Sequence, residues 1–84
     1  MVTAEQIIML GFMPDRRNQK VKQSGYSVTG EDREGNICEL RIVMNYYTGS
    51  VQIIYTEATE RKLIYEGEVS SINELEERIQ DGEY

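Results

Sequence analysis

The residue types that most often carry catalysis or bind metals are scarce in this sequence. It has no histidine and one cysteine, Cys38. Without histidine, the usual zinc sites and the cysteine–histidine nucleophile pair cannot form, and a single cysteine excludes an internal disulfide. No glycine-rich phosphate loop or nucleophile motif is present either. We therefore predict a protein that is not an enzyme, with no catalytic residue, cofactor or metal ion.

Charged side chains are the remaining candidates for chemistry. Glu66 and Glu68 share the outer side of a predicted strand, but a general acid also requires a cleft that raises the pKa of one carboxyl group, and nothing indicates one. Four basic residues lie close together in the sequence: Arg16, Arg17, Lys20 and Lys22. They could hold a phosphate or an acidic surface, although a solvated loop is the simpler interpretation, and no aromatic residue is interleaved to stack bases.

The net charge is −6, and it is distributed unevenly. Residues 1–25 hold four basic and two acidic side chains, whereas residues 26–84 hold five basic and thirteen acidic ones. An acidic body argues against direct binding to a nucleic-acid backbone and suits a basic protein partner. A simpler interpretation is that the acidic side chains only keep the protein soluble. A third interpretation is that they imitate a nucleic-acid backbone.

Length and composition predict one soluble domain over residues 1–84. A chain of 84 residues is too short to divide into two self-sufficient cores, and 39% hydrophobic with 29% charged residues is ordinary for a globular domain. The apolar runs are too short to cross a bilayer, and no signal-peptide pattern is visible. We expect a cytoplasmic protein with no membrane association.

Two capping boxes predict the helices. Thr3 and Gln6 can exchange hydrogen bonds at the start of a helix over 4–10 that stops at Gly11. Ser71 and Glu74 repeat the pattern before an amphipathic C-terminal helix.

From Tyr26 onward the apolar period becomes two, which predicts strands. We expect an α+β fold, α-β-β-β-β-α, in which two helices cover one face of a four-stranded antiparallel β-meander. Residues 13–25, which lack apolar periodicity and contain Pro14, are predicted to form a mobile basic loop, with an edge strand at its end as the alternative.

Turn residues predict the strand registers. A loop at 33–35 with Gly35 in the left-handed region pairs Val28 with Leu40, and a two-residue loop at 48–49 pairs Met44 with Ile53. A two-residue turn at 58–59 would place Tyr55 opposite Lys62, so we expect a longer loop centred on Thr59. That loop pairs Tyr55 with Leu63, and Ile53 with Tyr65.

These registers also align an apolar band on the opposite face of the sheet. Its members are Val43, Ile54 and Ile64, with polar residues on both sides that include Arg41 and Glu66. Branched side chains suit strands anywhere, but an apolar band with a polar rim is typical of an interface. We predict a partner-binding or self-association surface at Val43, Ile54, Ile64, Arg41 and Glu66, joined by Tyr47, which points outward at a turn.

The chain resembles small uncharacterised proteins carried by bacteriophages and mobile elements. The resemblance rests on Leu10-Gly11-Phe12 after a short helix, on the meander, and on the C-terminal segment 71–79. It implies an accessory role, with antagonists of bacterial defence among the possibilities, in the cytoplasm of a bacterial host.

Three functions follow from the sequence. The first is a non-enzymatic module that occludes a protein partner through its acidic surface or the apolar band. The second is a nucleotide-binding protein that uses Arg16, Arg17, Lys20 and Tyr47. The third is a structural homodimer formed through the band.

Overall fold

The computed structural model describes residues 2–20 and 22–82. In chain order its elements are α1 (Ala4–Met9), β1 (Met13–Lys20), β2 (Gln23–Glu31), β3 (Ile37–Asn45), β4 (Ser50–Glu57), β5 (Glu60–Glu68) and α2 (Ile72–Gly82). The strands form one antiparallel sheet in the order β1-β2-β3-β4-β5. The predicted α+β class is confirmed, but the count of four strands was wrong, because the sheet has five.

The additional strand, β1, lies where we predicted a mobile loop. Residues 13–20 pair with β2, with Met13 opposite Ser27 and Asp15 opposite Gly25. Pro14 cannot donate a ladder hydrogen bond, but an edge strand tolerates proline because only one of its sides is paired. The ladder is irregular between Asp15 and Lys20. The loop over 13–25 is therefore corrected to an edge strand followed by the start of β2.

Helix α1 begins as its capping box predicts. The backbone N–H of Gln6 donates to the Thr3 hydroxyl over 3.3 Å, and the Gln6 side chain accepts the N–H of Thr3 at 3.0 Å. Gly11, with φ of +103°, follows the last turn. In α2 the Ser71 hydroxyl accepts the N–H of Glu74 at 3.2 Å. The Glu74 carboxylate, however, accepts bonds from Ser70, and these lower its pKa.

The first two hairpins differ in how well the sequence predicts them. Between β2 and β3, Val28 pairs with Leu40 as expected, and Gly35 has a φ of +83°. Between β3 and β4, Met44 pairs with Val51 and not with Ile53, a shift of two residues that keeps every side chain on its predicted face. The cause is a longer turn, in which the Asn45 side chain accepts the N–H groups of Tyr47 (2.9 Å) and Thr48 (3.2 Å).

The β4–β5 hairpin contains the two-residue turn that the sequence argument rejected. Ala58 and Thr59 form it, and Tyr55 consequently faces Lys62. Farther along, Ile53 pairs with Tyr65 as predicted, because a β-bulge between Ile53 and Ile54 restores the register. The prediction of a longer loop was therefore wrong, although its distal pairing was right.

The core lies between one face of the sheet and both helices. Its buried members are Val2, Ile7, Phe12, Tyr26, Leu40, Ile42, Met44, Val51, Ile53, Val69 and Leu75. Burial, together with a hydrogen bond to Tyr46, raises the pKa of Tyr26 to about 12. Because α1 and α2 both contribute to this cluster, no helix of the described chain covers the other face of the sheet, which we call the helix-free face.

Candidate partner-binding surface

The helix-free face is best followed as one row of paired residues across all five strands. Met13, Ser27, Arg41, Ile54 and Leu63 are successive partners in this row. Directly paired residues in an antiparallel sheet point to the same side, so these side chains all project away from the core.

The predicted band of three aliphatic residues is not an exposed patch. Val43 and Ile54 do lie on the helix-free face, but each is only 5% exposed. Ile64 packs against the core cluster, and Ile54 pairs instead with Leu63. The predicted alignment is thus wrong at Ile64, because the bulge reverses the side to which the start of β5 points. The residue that takes its place, Leu63, is 52% exposed.

Arg41 is held in a network of charges on this face. Its Nη2 donates to Glu39 Oε1 at 2.9 Å, and its Nε lies 3.7 Å from Asp15 Oδ2. Asp15 is buried and Glu39 is partly buried. The guanidinium therefore joins β1 to β3 across β2, and its predicted role at a partner surface is combined with a structural one.

A groove of about 700 Å³ opens beside this network. It runs between the tips of the β2–β3 and β4–β5 hairpins, and its walls include Ile37, Arg41, Thr56 and Arg61. Ile37 is 68% exposed. Arg61 is exposed, and no ion pair holds it among the described side chains. The groove thus combines an accessible aliphatic side chain with an available guanidinium.

Ile37, Arg61 and Leu63 were not among the residues predicted for this surface. Alternation along β3 predicts the helix-free side for Ile37, so this signal was available. Leu63 was predicted to face the core, opposite Tyr55, because the bulge at Ile64 was not recognised. Glu66 does lie on the helix-free face, where Gln52 Nε2 donates to its carboxylate at 3.1 Å.

The predicted basic residues are divided between β1 and the following turn. Arg16 is exposed on β1, and the Lys22 ammonium lies 5.2 Å from the centre of the Tyr47 ring. Tyr47 is 73% exposed, as predicted for an outward-pointing turn residue. The side chains of Arg17 and Lys20 lie outside the described part of the structure.

A second group of polar residues meets where β2 and β4 end and β3 begins, next to the core side of the sheet. Donor atoms of Asp32, Cys38 and Glu57 lie within 4.8 Å of one another. A hydrogen bond with Glu57 lowers the pKa of Asp32 to about 2, and the same bond raises the pKa of Glu57. A hydrogen bond with Cys38 is the main cause that raises the pKa of Tyr55 to about 12.

The turn itself accounts for the position of Asp32. Its Oδ1 accepts the backbone N–H groups of Glu34 (2.8 Å) and Asn36 (2.9 Å), and its Oδ2 accepts the Asn36 amide at 3.1 Å. These are the bonds by which an aspartate orders a tight hairpin loop. We therefore interpret this group as a structural closure of the β2–β3 hairpin.

Comparison with known proteins does not assign a family. No protein family, curated protein or solved structure matches the chain. Neither helix of the described residues has the length and apolar character needed to cross a bilayer.

Proposed function

We propose that this protein is a non-enzymatic binding module that occludes a protein partner through its helix-free face. The observation that carries the proposal is the groove whose walls include both the exposed Ile37 and the Arg61 side chain. Leu63 extends the apolar part of this surface along β5.

The residue types suit recognition of a protein. An arginine without an internal ion pair retains all of its donors for carboxylates or carbonyl groups of a partner. Exposed aliphatic side chains beside it supply area that becomes buried on docking, and energetically dominant interface positions are enriched in arginine and surrounded by such contacts. Arg41 also lines this groove, and Val43 and Ile54 lie buried on the same face of the sheet.

The biological setting remains the one suggested by the sequence resemblance. We propose an accessory protein of a phage or mobile element that acts in the bacterial cytoplasm, for example as an antagonist of a defence system. Binding by occlusion requires no catalytic group, which agrees with the absence of histidine from the sequence.

Two substitutions in consecutive residues test the surface. Arg61→Glu reverses a charge on the helix-free face, whereas Lys62→Glu makes the same change on the opposite side of the same strand, facing Tyr55. A partner captured from bacterial lysate by cross-linking would be purified and titrated by calorimetry. Arg61→Glu should weaken binding by about tenfold or more, and Lys62→Glu by less than about threefold.

Equal losses in the two variants would show that net charge, and not the groove, determines binding. Failure to retain any protein at physiological salt would also count against the proposal. Circular dichroism of both variants checks that each keeps the fold.

One observation favours nucleotide binding as the second candidate. The β1–β2 turn and the β3–β4 turn lie at the same end of the sheet, where the Tyr46 N–H donates to the Lys22 carbonyl at 3.1 Å. A cation and an exposed tyrosine therefore meet, as a phosphate and a base would require. Thermal-shift titration with adenine and guanine nucleotides tests this candidate, since stabilisation that rises with ligand concentration and is lost in Tyr47→Ala would support it.

The third candidate, a homodimer through the aliphatic band, loses its basis. Val43 and Ile54 are already buried within the monomer, so they offer little area to a second copy. An Ile54→Asp variant would therefore test the stability of the sheet and not association.

A further inference from the structure

The strand order places opposite charges at opposite edges of the sheet. β1 and β5 are the two edge strands, and α2 packs against β5. Residues 13–22 contain four basic residues and one acid, whereas residues 60–82 contain seven acids and three basic residues. The charge asymmetry along the chain is therefore also a separation of charge across the molecule.

The basic edge is more positive than its sequence indicates. Its one acid, Asp15, is buried and ion-paired with Arg41 on the helix-free face. Arg16 and Lys22 are exposed to solvent. The negative charge is thus withdrawn from the surface, whereas Arg16 and Lys22 remain accessible there.

The acidic edge shows the reverse arrangement. Exposed acids at this edge are Glu60, Glu66, Glu68, Glu77 and Asp81. Of the basic residues in the same region, Arg78 lies over the ring of Tyr65, with its guanidinium carbon 4.6 Å from the ring centre. Arg61 and Lys62 are confined to the hairpin end of β5. The rest of this edge presents mainly carboxylates.

We propose that copies of this protein associate head to tail, with the basic β1 edge of one copy against the acidic β5–α2 edge of the next. Opposite charges steer these unlike edges together, whereas two β1 edges or two β5–α2 edges repel each other. A contact between unlike surfaces does not close on itself as a two-fold dimer does, so it produces chains or rings. The inference does not rest on the partner-binding proposal, because it depends on the net charge of the two edges and not on the groove at Ile37 and Arg61.

The contact is ionic and is not a continuous ladder of strands. Pro14 and the irregular pairing after Asp15 interrupt the outer side of β1, and the bulge at Ile64 interrupts β5. Such features prevent edge strands from pairing with other chains. Association through exposed charges is weak and is screened when the Debye length falls below the separation of the charges.

Two reciprocal variants test the proposal. The first, Arg16→Glu with Lys22→Glu, lowers the net charge of residues 13–22 from +3 to −1. The second, Glu77→Lys with Asp81→Lys, brings the net charge of residues 60–82 from −4 to zero. Sedimentation velocity would be recorded over a concentration series at about 20 mM and about 500 mM salt, where screening differs strongly.

The wild type should show a mean mass that rises with concentration at low salt and falls to that of the monomer at high salt. Each variant alone should remain monomeric at low salt, because one of its two edges no longer carries the charge that attracts the other. An equimolar mixture of the two should regain association, because each variant offers an edge complementary to the other. This rescue separates a specific contact from a general effect of net charge.

Three results would overturn the proposal: a wild type that stays monomeric at low salt, a variant that associates alone as the wild type does, or a mixture that does not associate. Glu31→Lys with Glu34→Lys is the matched control, since it changes the net charge as the second variant does but at the tip of the β2–β3 hairpin. It should still associate. If a reversed-charge variant fails to fold, two milder variants replace it: Arg16→Gln with Lys22→Gln, and Glu77→Gln with Asp81→Gln. Each should at least halve the associated fraction at low salt. An unchanged fraction would count equally against the contact.

Discussion

Asp32 at a hairpin tip and Glu57 at the end of a neighbouring strand form a pair of acids whose side chains lie close together. The pKa of Glu57 is raised above its usual 4.5, first by the hydrogen bond to Asp32, then by burial and by the charges of Asp32, Glu34 and Glu60. The folded state therefore binds this proton more tightly than the unfolded state. The resulting stabilisation is complete below pH 4.5 and is lost as the pH rises through the raised pKa.

The pKa of Asp32 is shifted in the opposite direction. Its pKa is lowered from 3.8 to about 2, so its stabilisation is complete above pH 3.8 and is lost as the pH falls toward 2. The two acids together stabilise the fold most in the pH range in which Asp32 is ionised and Glu57 still carries the shared proton.

Glu57→Gln should remove the loss of stability that begins above pH 4.5. The amide group donates to Asp32 at every pH, so the free energy of unfolding should increase relative to the wild type between pH 4 and pH 7. Urea denaturation at several pH values measures this difference, with Glu5→Gln on α1 as the control. Parallel profiles for Glu57→Gln and the wild type would contradict the shared-proton interpretation.

Ala58 occupies a backbone conformation that favours glycine, with φ of +54° in the two-residue turn between β4 and β5. Because Ala58 is exposed, replacement by glycine relieves this conformation with little loss of packing. Ala58→Gly should raise the free energy of unfolding by about 0.5–1 kcal/mol. Thr59→Gly in the same turn, where φ is negative, should lower it by roughly 0.5–1 kcal/mol, and thermal unfolding distinguishes the two. Destabilisation by both substitutions would refute the argument.

At the scale of elements, β1 depends on its ion pair more than on an apolar face. Asp15 is the buried charged residue that reaches across β2 to Arg41. Asp15→Ala should lower the free energy of unfolding by about 1–3 kcal/mol, since Arg41 keeps Glu39 as a partner but loses a buried one. Amide hydrogen exchange should accelerate chiefly in β1.

Arg16→Ala, one residue away and exposed, is the matched control and should change stability by less than about 0.5 kcal/mol. If both variants behaved alike, the ion pair would not be what fastens β1 to the sheet.

Local hydrogen bonds determine which elements the sequence predicts well. The start of α1 and the β2–β3 register depend on Thr3, Gln6 and Gly35, whose effects operate within a few residues, and both were predicted. The β3–β4 register depends on Asn45, whose side chain captures two N–H groups and lengthens the turn. Nothing in the alternation of apolar residues signals that choice.

Tertiary context determines the elements that the sequence did not predict. β1 has no alternating pattern because its order comes from pairing with β2 and from the Asp15–Arg41 contact. The side of the sheet on which Leu63 and Arg61 lie depends on the bulge at Ile64. This bulge compensates for the two-residue turn at Ala58 and Thr59, so that Ile53 still pairs with Tyr65. The candidate surface was therefore placed on the right face of the sheet but with the wrong β5 residues.

For the whole molecule, a thin core means that single buried side chains matter. Leu75 is the fully buried residue of α2 and joins that helix to the sheet. Leu75→Ala should cost about 2–5 kcal/mol, out of the roughly 5–15 kcal/mol that stabilises a typical domain. For a chain of this size, each kcal/mol corresponds to a fall in Tm of about 4–8 °C.

Gln80→Ala on the exposed side of α2 is the control for helix propensity and should leave Tm nearly unchanged. A single cooperative transition is expected for the Leu75 variant because both helices share one core with the sheet. Separate melting of α2 would show that the helix is not part of that cooperative unit.

The unpaired position of Ile64 has a consequence for how the chain could vary in length. Its neighbours already have partners, Leu63 with Ile54 and Tyr65 with Ile53. Deletion of this one residue would leave a continuous ladder, with every remaining side chain still on its own side. The β4–β5 hairpin is thus the part of the sheet that can gain or lose residues one at a time during evolution, whereas regular strands tolerate such changes only in pairs.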